Sequence, residues 1–342
     1  MDLTKTNNDY QALLDTISQV YHQGRNKALK LVDTVLVQTN WQIGQHIVEF
    51  EQKGNLRAPY GKALLESLAH DLTLLHGKGF SRSNLNQIRL FYVRYPSFDA
   101  FSKNLSWSHY CELVKIDLDL ERQFYEKQIE LENWSVSELK RQKNTALFLR
   151  LAGSRDKEGV LKLAKYGRII EMPEDIFHDP YVFEFLKIPE PYRLSEKKLE
   201  TLLLDNLQAF LLELGKGFTF VGRQYRITLD NEDYKIDLVF YHRFLRCFVL
   251  IDLKVNKIQH YDIGQMNMYL GYFANEETTT DENPPIGIIL TREKDDLLVK
   301  YATYGMSSQL FVSKYQLYLP DIEELRAQLE RILSQPDVEE TP

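Results

Sequence analysis

Between Cys247 and Ile251 five apolar residues follow one another without a polar break, and the run closes on Asp252, Leu253 and Lys254. An apolar run of that length reads as a central strand covered on both faces, so layers must pack on either side of it. Residues two apart on a strand share a face, so Asp252 and Lys254 project together while Leu253 points elsewhere. An earlier apolar strand, YKIDLVFY, carries Asp237. Two carboxylates and an ammonium at strand ends need a reason, and a bound divalent cation is the simplest.

At 342 residues the chain is long enough for two or three domains with their own cores. No stretch approaches the roughly 18 to 20 apolar residues of a membrane span, and the start lacks a basic segment followed by an apolar one. The expected compartment is the cytoplasm, with no membrane partner. Cys111 and Cys247 are the only cysteines and lie far apart in sequence, which points to core thiols rather than a disulfide framework or a thiolate zinc site. The net charge of -7 argues against a surface that is basic all over, yet a positive cleft within an acidic whole remains compatible with nucleic acid.

Up to about residue 170 the periodicity is helical. Leu13, Leu14, Ile17, Val20 and Tyr21 mark one stretch and Ala28 to Phe50 a second. Residues 63–95 read as helix, turn, helix: Gly77 and Gly79 break the first, Ser81 or Ser83 caps the second and Pro96 ends it. This is either a DNA-reading helix-turn-helix, with Arg82, Asn84, Asn86, Gln87 and Arg89 as donors, or an ordinary helical hairpin. Trp41, Trp107 and Trp134 read as core, and His109 and His242 lack a partner at metal-ligand spacing. Prolines 173, 180, 189 and 191 mark a connector over 171–194, and residues 333–342 read as a disordered acidic tail.

From 195 to 332 the pattern changes. Ser195 caps a helix through Leu214; strands follow near 218–227, 234–241 and 246–254, then a helix from Asp262 to Phe273 and strands at 286–290 and 309–312. On the first helix Glu200 lies with Leu204, Leu207 and Leu211, whereas Asp205 lies with Gln208 and Leu212, so Glu200 is the inward carboxylate and Glu196 its rival. Phosphodiester hydrolysis needs an activated water, stabilised phosphoryl oxygens and a leaving alkoxide, all of which bound Mg²⁺ serves. Mg²⁺ takes oxygen ligands, so Asp237, Asp252 and the main-chain carbonyl of Leu253 suit it, with Lys254 orienting or deprotonating water. No Walker A loop is present, and HGKGFSR lacks the third glycine of a dinucleotide fingerprint.

Here the sequence resembles the PD-(D/E)XK nucleases, whose motif is an acidic residue on one strand and (D/E)-X-K on the next. More narrowly, LSWSHYCELVKID, ENWSVSELKRQ, DPYVFEFL, FLLELGKGFTFVGRQYRI, IDLVFYHR and GQMNMYLGYF resemble the bacterial YhcG-like proteins nearly end to end. Ile236 stands in place of the motif's Pro, and Asp252 where that group usually has Glu. The resemblance implies an α/β fold: a restriction-endonuclease-like C-terminal core and a mostly helical N-terminal domain for recognition or assembly. It also implies a nuclease using Mg²⁺ or Mn²⁺, with DNA the favoured partner and a homo-oligomer left open. Its site residues are Asp237, Asp252, Lys254 and Gln265, with Glu200 added from the helix. The competing classes are a scaffold that keeps the fold without cutting and an RNA-directed enzyme.

Overall fold

The computed structural model describes residues 3–52, 64–97, 102, 104–153, 155–176, 180–188, 195–306 and 309–334, without the side chains of 3–16, 23, 25–30 and 174. The chain divides into two compact units, Met1–Lys140 and Arg141–Pro342. The tail expected from 333 lies, beyond residue 334, outside the described residues, as does the end of the connector at 189–194.

The first unit is helical: α1 (Leu3–Gln52), α2 (Leu64–His76), α3 (Arg82–Arg94), α4 (Trp107–Leu113), α5 (Asp119–Glu132) and α6 (Val136–Asn144), the division falling inside α6. The two amphipathic stretches expected before residue 50 are one continuous helix. Between them only Gly24 is a strong helix breaker, and one interior glycine weakens a helix by about 1 kcal/mol without ending it. Ser81 caps α3 by accepting from the Asn84 N–H at 3.2 Å. Leu85, Ile88 and Phe91 form the buried face of α3, and α1 approaches so closely that a Cβ on Gly44 would collide with the Ile88 carbonyl. Trp41 is buried and donates to the Tyr95 carbonyl at 2.7 Å, and Trp134 is buried as well. The His109 ring is engaged by Ser106 and the Trp134 carbonyl, a structural role.

The second unit continues with α7 (Leu147–Gly153), α8 (Lys157–Tyr166), α9 (Pro173–Ile176), β1 (Tyr181–Val182), α10 (Glu196–Asp205), α11 (Leu207–Leu214), β2 (Phe218–Leu229), β3 (Glu232–His242), β4 (Cys247–Lys257), α12 (His260–Tyr272), β5 (Ile286–Glu293), α13 (Asp296–Ala302), β6 (Gln309–Gln316) and α14 (Ile322–Leu333). Its mixed sheet has the order β1-β6-β5-β4-β3-β2. Strands β2, β3 and β4 are an antiparallel meander, and β4, β5, β6 and β1 run parallel, with α12 and α13 as crossovers. Cys247, Val249, Ile251 and Leu253 of β4 pack with Leu199, Leu203, Phe210 and Leu214 of α10 and α11. Leu250 packs on the other face with Ile263, Met266 and Leu270 of α12. The central strand is therefore covered on both sides, as its apolar run predicts.

Two local features depart from the sequence reading. The helix expected to run from Ser195 to Leu214 breaks at Asn206, whose side chain donates back to the Leu202 carbonyl at 2.9 Å and whose backbone leaves the helical region. A short polar side chain that bonds its own backbone competes with helix continuation. The stretch expected as a connector contributes edge strand β1, pinned from below by a buried ion network. Glu213, fully buried on α11, accepts from Arg150 at 2.7 Å, from the Val182 N–H at 2.8 Å and from Arg141 at 3.2 Å. Arg150 also donates to the Pro180 carbonyl at 2.8 Å, so α7, α11 and β1 share one polar knot.

Candidate active site

Strands β3 and β4 pair from His242↔Cys247 as far as Leu238↔Ile251 and then part. Asp237 stands at the fork. Its Oδ2 accepts from the Leu253 N–H at 2.9 Å, so a side chain replaces the next rung of the ladder. The N–H and C=O of one strand residue point to the same edge, which turns the Leu253 carbonyl toward the fork as well.

Asp252 and Lys254 lie on the α12 face of β4, opposite Leu253, and form an ion pair of 2.8 Å. Lys254 Nζ is also 3.6 Å from Asp262 Oδ1. Asp262 is buried in the first turn of α12, where it accepts from the Gln259 N–H at 2.7 Å as part of a capping box. Burial raises the Asp252 carboxyl to about 7; the Lys254 charge opposes that rise and the nearby Asp237 charge adds to it. Burial by itself would lower Lys254, but its contact with Asp252, helped by Glu196 and Asp262, holds the ammonium above its ordinary range. The two partners thus pull in opposite senses. Desolvation weighs on the nearly enclosed carboxylate more than on the lysine, whose side chain keeps 17% exposure.

On the other face, Glu200 of α10 is 6% exposed and its Oε2 accepts from Gln224 Nε2 at 2.8 Å. The same nitrogen donates to Asp237 Oδ1 at 2.9 Å. Burial and then the Asp237 charge push the Glu200 carboxyl up. Glu196 is close enough to act on Lys254, while Asp205 is exposed at the end of α10. Gln265 of α12 donates to the Tyr269 hydroxyl, and that hydroxyl donates to the Lys235 carbonyl at 3.2 Å, two residues before Asp237.

The structure therefore brings Asp237, Asp252, Leu253, Lys254 and Glu200 to one end of the sheet, with Gln265 on its α12 wall. Gln224, Asp262 and Tyr269 join them. Of these, only Tyr269 carries a signal in the sequence, four residues beyond Gln265 on one helix edge, whereas Gln224 and Asp262 are joined to the site by tertiary contacts alone. Among the described residues no three His, Cys, Asp or Glu side chains converge as a closed ligand cage. Lys254 and Gln224 engage the carboxylates instead. Two acidic side chains with a main-chain carbonyl beside them are an all-oxygen donor set, and the raised Asp252 is a charge that a cation would stabilise; the residues fit Mg²⁺ or Mn²⁺.

In the first unit the expected nucleic-acid donors divide. Arg82 and Asn86 are exposed on α3, Arg82 within 3.4 Å of Glu66, and Gln87 is half-buried. Asn84 donates to the Gly79 carbonyl at 2.7 Å and accepts from Trp107 at 3.1 Å, and Arg89 is paired to Glu51 at 2.8 Å. Asn84 and Arg89 are held by the unit itself.

A mixed α/β sheet with acidic residues on adjacent strands, a lysine beside the second and a helix carboxylate over them defines the restriction-endonuclease-like class. A family model described as the YhcG PDDEXK nuclease domain matches residues 174–330, and one described as the DUF1016 N-terminal domain matches 16–150. The YhcG protein of Escherichia coli (strain K12) is 37% identical over 354 residues, covering 94% of each chain. The chain belongs to the YhcG family of PDDEXK nucleases. Slighter likenesses reach a repair endonuclease of Pyrococcus abyssi (19% identity, 39% of this chain and 50% of that one, TM-score 0.28) and an EndoMS complex with double-stranded DNA (14%, 39% and 50%, TM-score 0.26). The chain spans about half the length of those two structures. Among the described residues no helix is long and apolar enough to cross a membrane.

Proposed function

We propose that this chain hydrolyses phosphodiester bonds in DNA with Mg²⁺ or Mn²⁺, using Asp237, Asp252 and the Leu253 carbonyl as cation ligands. The observation that carries the reading is the fork between β3 and β4, where both strand carboxylates and Lys254 meet at one sheet end. When bound, the cation supplies charge stabilisation for the phosphoryl oxygens and an acidified water. The Leu253 N–H fixes the rotamer of Asp237, so that carboxylate is oriented before any ligand arrives. Lys254, kept charged by its acidic neighbours, acts as a cation that orients water and faces phosphate rather than as a base. Gln265 and Tyr269 form a hydrogen-bonded wall that lends polarity to the α12 side. Substrate capture falls to the helical unit, where Arg82 and Asn86 are the donors of α3 that face outward.

The test is incubation of the purified chain with plasmid, single-stranded DNA, branched DNA and RNA, each with Mg²⁺, Mn²⁺ or EDTA. Cleavage of DNA with either cation and none in EDTA is expected. Binding without cleavage under every condition identifies a scaffold, and cleavage confined to RNA identifies the other class of substrate.

A further inference from the structure

Gln224 is an exposed side chain in the middle of β2 with φ +47, a left-handed conformation that residues other than glycine adopt rarely. Its side chain is exposed, so packing does not require the conformation, and the β2–β3 register is irregular just before it, between Phe220 and Gly222. The hairpin places it opposite Asp237: Arg223 pairs with Leu238 and Tyr225 with Ile236 on either side. From there its amide nitrogen meets Glu200 at 2.8 Å and Asp237 at 2.9 Å. An amide nitrogen carries two hydrogens, one for each acceptor. Local backbone strain of this kind persists where the surrounding structure enforces it, and it concentrates at functional sites.

We propose that Gln224 is a positioning residue that holds the helix carboxylate Glu200 against the strand carboxylate Asp237, making the two a single acidic set; this rests on the nuclease reading above. Two carboxylates this close repel, and Glu200 is buried on α10, where its charge needs a hydrogen-bond donor. A neutral amide offsets the repulsion with its dipole, whereas a lysine in its place would compete with an arriving cation by a full charge. The contact also picks Glu200 out from Glu196 and Asp205 as the helix residue that joins the site.

The experiment is a double-mutant cycle in the full chain with Gln224→Gly, Glu200→Gln and the pair, read by DNA cleavage, Mn²⁺ affinity by calorimetry and thermal midpoint. Glycine takes φ +47 without strain, which offsets the loss of the two hydrogen bonds, so the midpoint of Gln224→Gly should change little while cleavage falls about 10- to 100-fold. The double variant should be no worse than either single one. Should the glycine variant fail to fold, Gln224→Asn tolerates the same φ but lacks the reach, and the same losses are expected of it. Wild-type cleavage by the Gln224 variant, or losses that multiply in the double variant, would overturn the proposal. If the wild type binds Mn²⁺ but cuts nothing, the nuclease reading fails while Mn²⁺ affinity still decides on Gln224: weakened and non-additive supports it, unchanged overturns it. A wild type that neither binds Mn²⁺ nor cuts overturns both.

Discussion

Lys254 Nζ sits 2.8 Å from Asp252 Oδ2, so the lysine occupies the carboxylate that a cation would need. Lys254→Ala should accordingly tighten Mn²⁺ binding, because it removes a competing positive charge, while cleavage falls on the order of 100-fold. Lys254→Arg should rescue little, since the planar guanidinium places its charge differently from a compact ammonium. Calorimetry and single-turnover cleavage on both variants check this, and full activity with arginine would count against the assigned role.

Asp237→Asn and Asp252→Asn should each reduce cleavage by more than about 100-fold with the fold retained, since each removes a ligand charge. Asparagine at 237 keeps an oxygen for the Leu253 N–H, so the fork between β3 and β4 survives. Thermal midpoints near wild type alongside lost cleavage are the expected pair of results.

The pH dependence follows from Asp252, raised by burial to about 7 from an ordinary aspartate value. A raised carboxyl favours the protonated folded state, so its stabilisation is complete below pH about 4 and is lost as pH climbs through about 7. A cation needs the ionised form. Mn²⁺ affinity should therefore rise up to about tenfold per pH unit between about 4 and 7 and then level off. A pH series of calorimetric titrations measures it, and affinity independent of pH over that range would contradict it.

Glu213→Ala leaves the fully buried Arg150 without a carboxylate to balance its charge and should destabilise the second unit by about 3–5 kcal/mol. Adding Arg150→Met should recover part of the loss by removing the unpaired charge. Chemical denaturation of the two variants separates this from a catalytic effect.

On α3, Arg82→Ala should weaken DNA binding across sequences and lower the salt slope by about 0.9, as expected for one lost phosphate contact. Arg89→Ala should act on stability instead, because its guanidinium is already paired with Glu51 at 2.8 Å. Equal effects of both on affinity would remove the distinction.

What the sequence reveals is what repeats at short range. The two-residue period of β4 puts Asp252 and Lys254 on one face, and the apolar run marks that strand as central; both relations hold in three dimensions. Helix periodicity likewise turns Glu200 inward. The Gln224 amide is different: its partners lie on another strand and on a helix, and its left-handed backbone leaves no mark in composition. Asp262 looks like an ordinary acidic residue of a first helical turn until α12 brings it to Lys254. Strand β1 is two residues among prolines and exists because β6 and the Glu213 carboxylate hold it.

The Asp230-Asn231 turn, with both residues at positive φ, joins β2 to β3 by the shortest connection an antiparallel pair allows. That turn works as a reading frame. Adding or removing one residue between 224 and 237 would reverse which side of the hairpin each side chain occupies, separating Gln224 from Asp237 even though every residue type is kept. Length variation in this hairpin is thus barred by chemistry at its far end, not by the turn itself, and an otherwise permissive surface loop becomes one of the least editable segments of the chain.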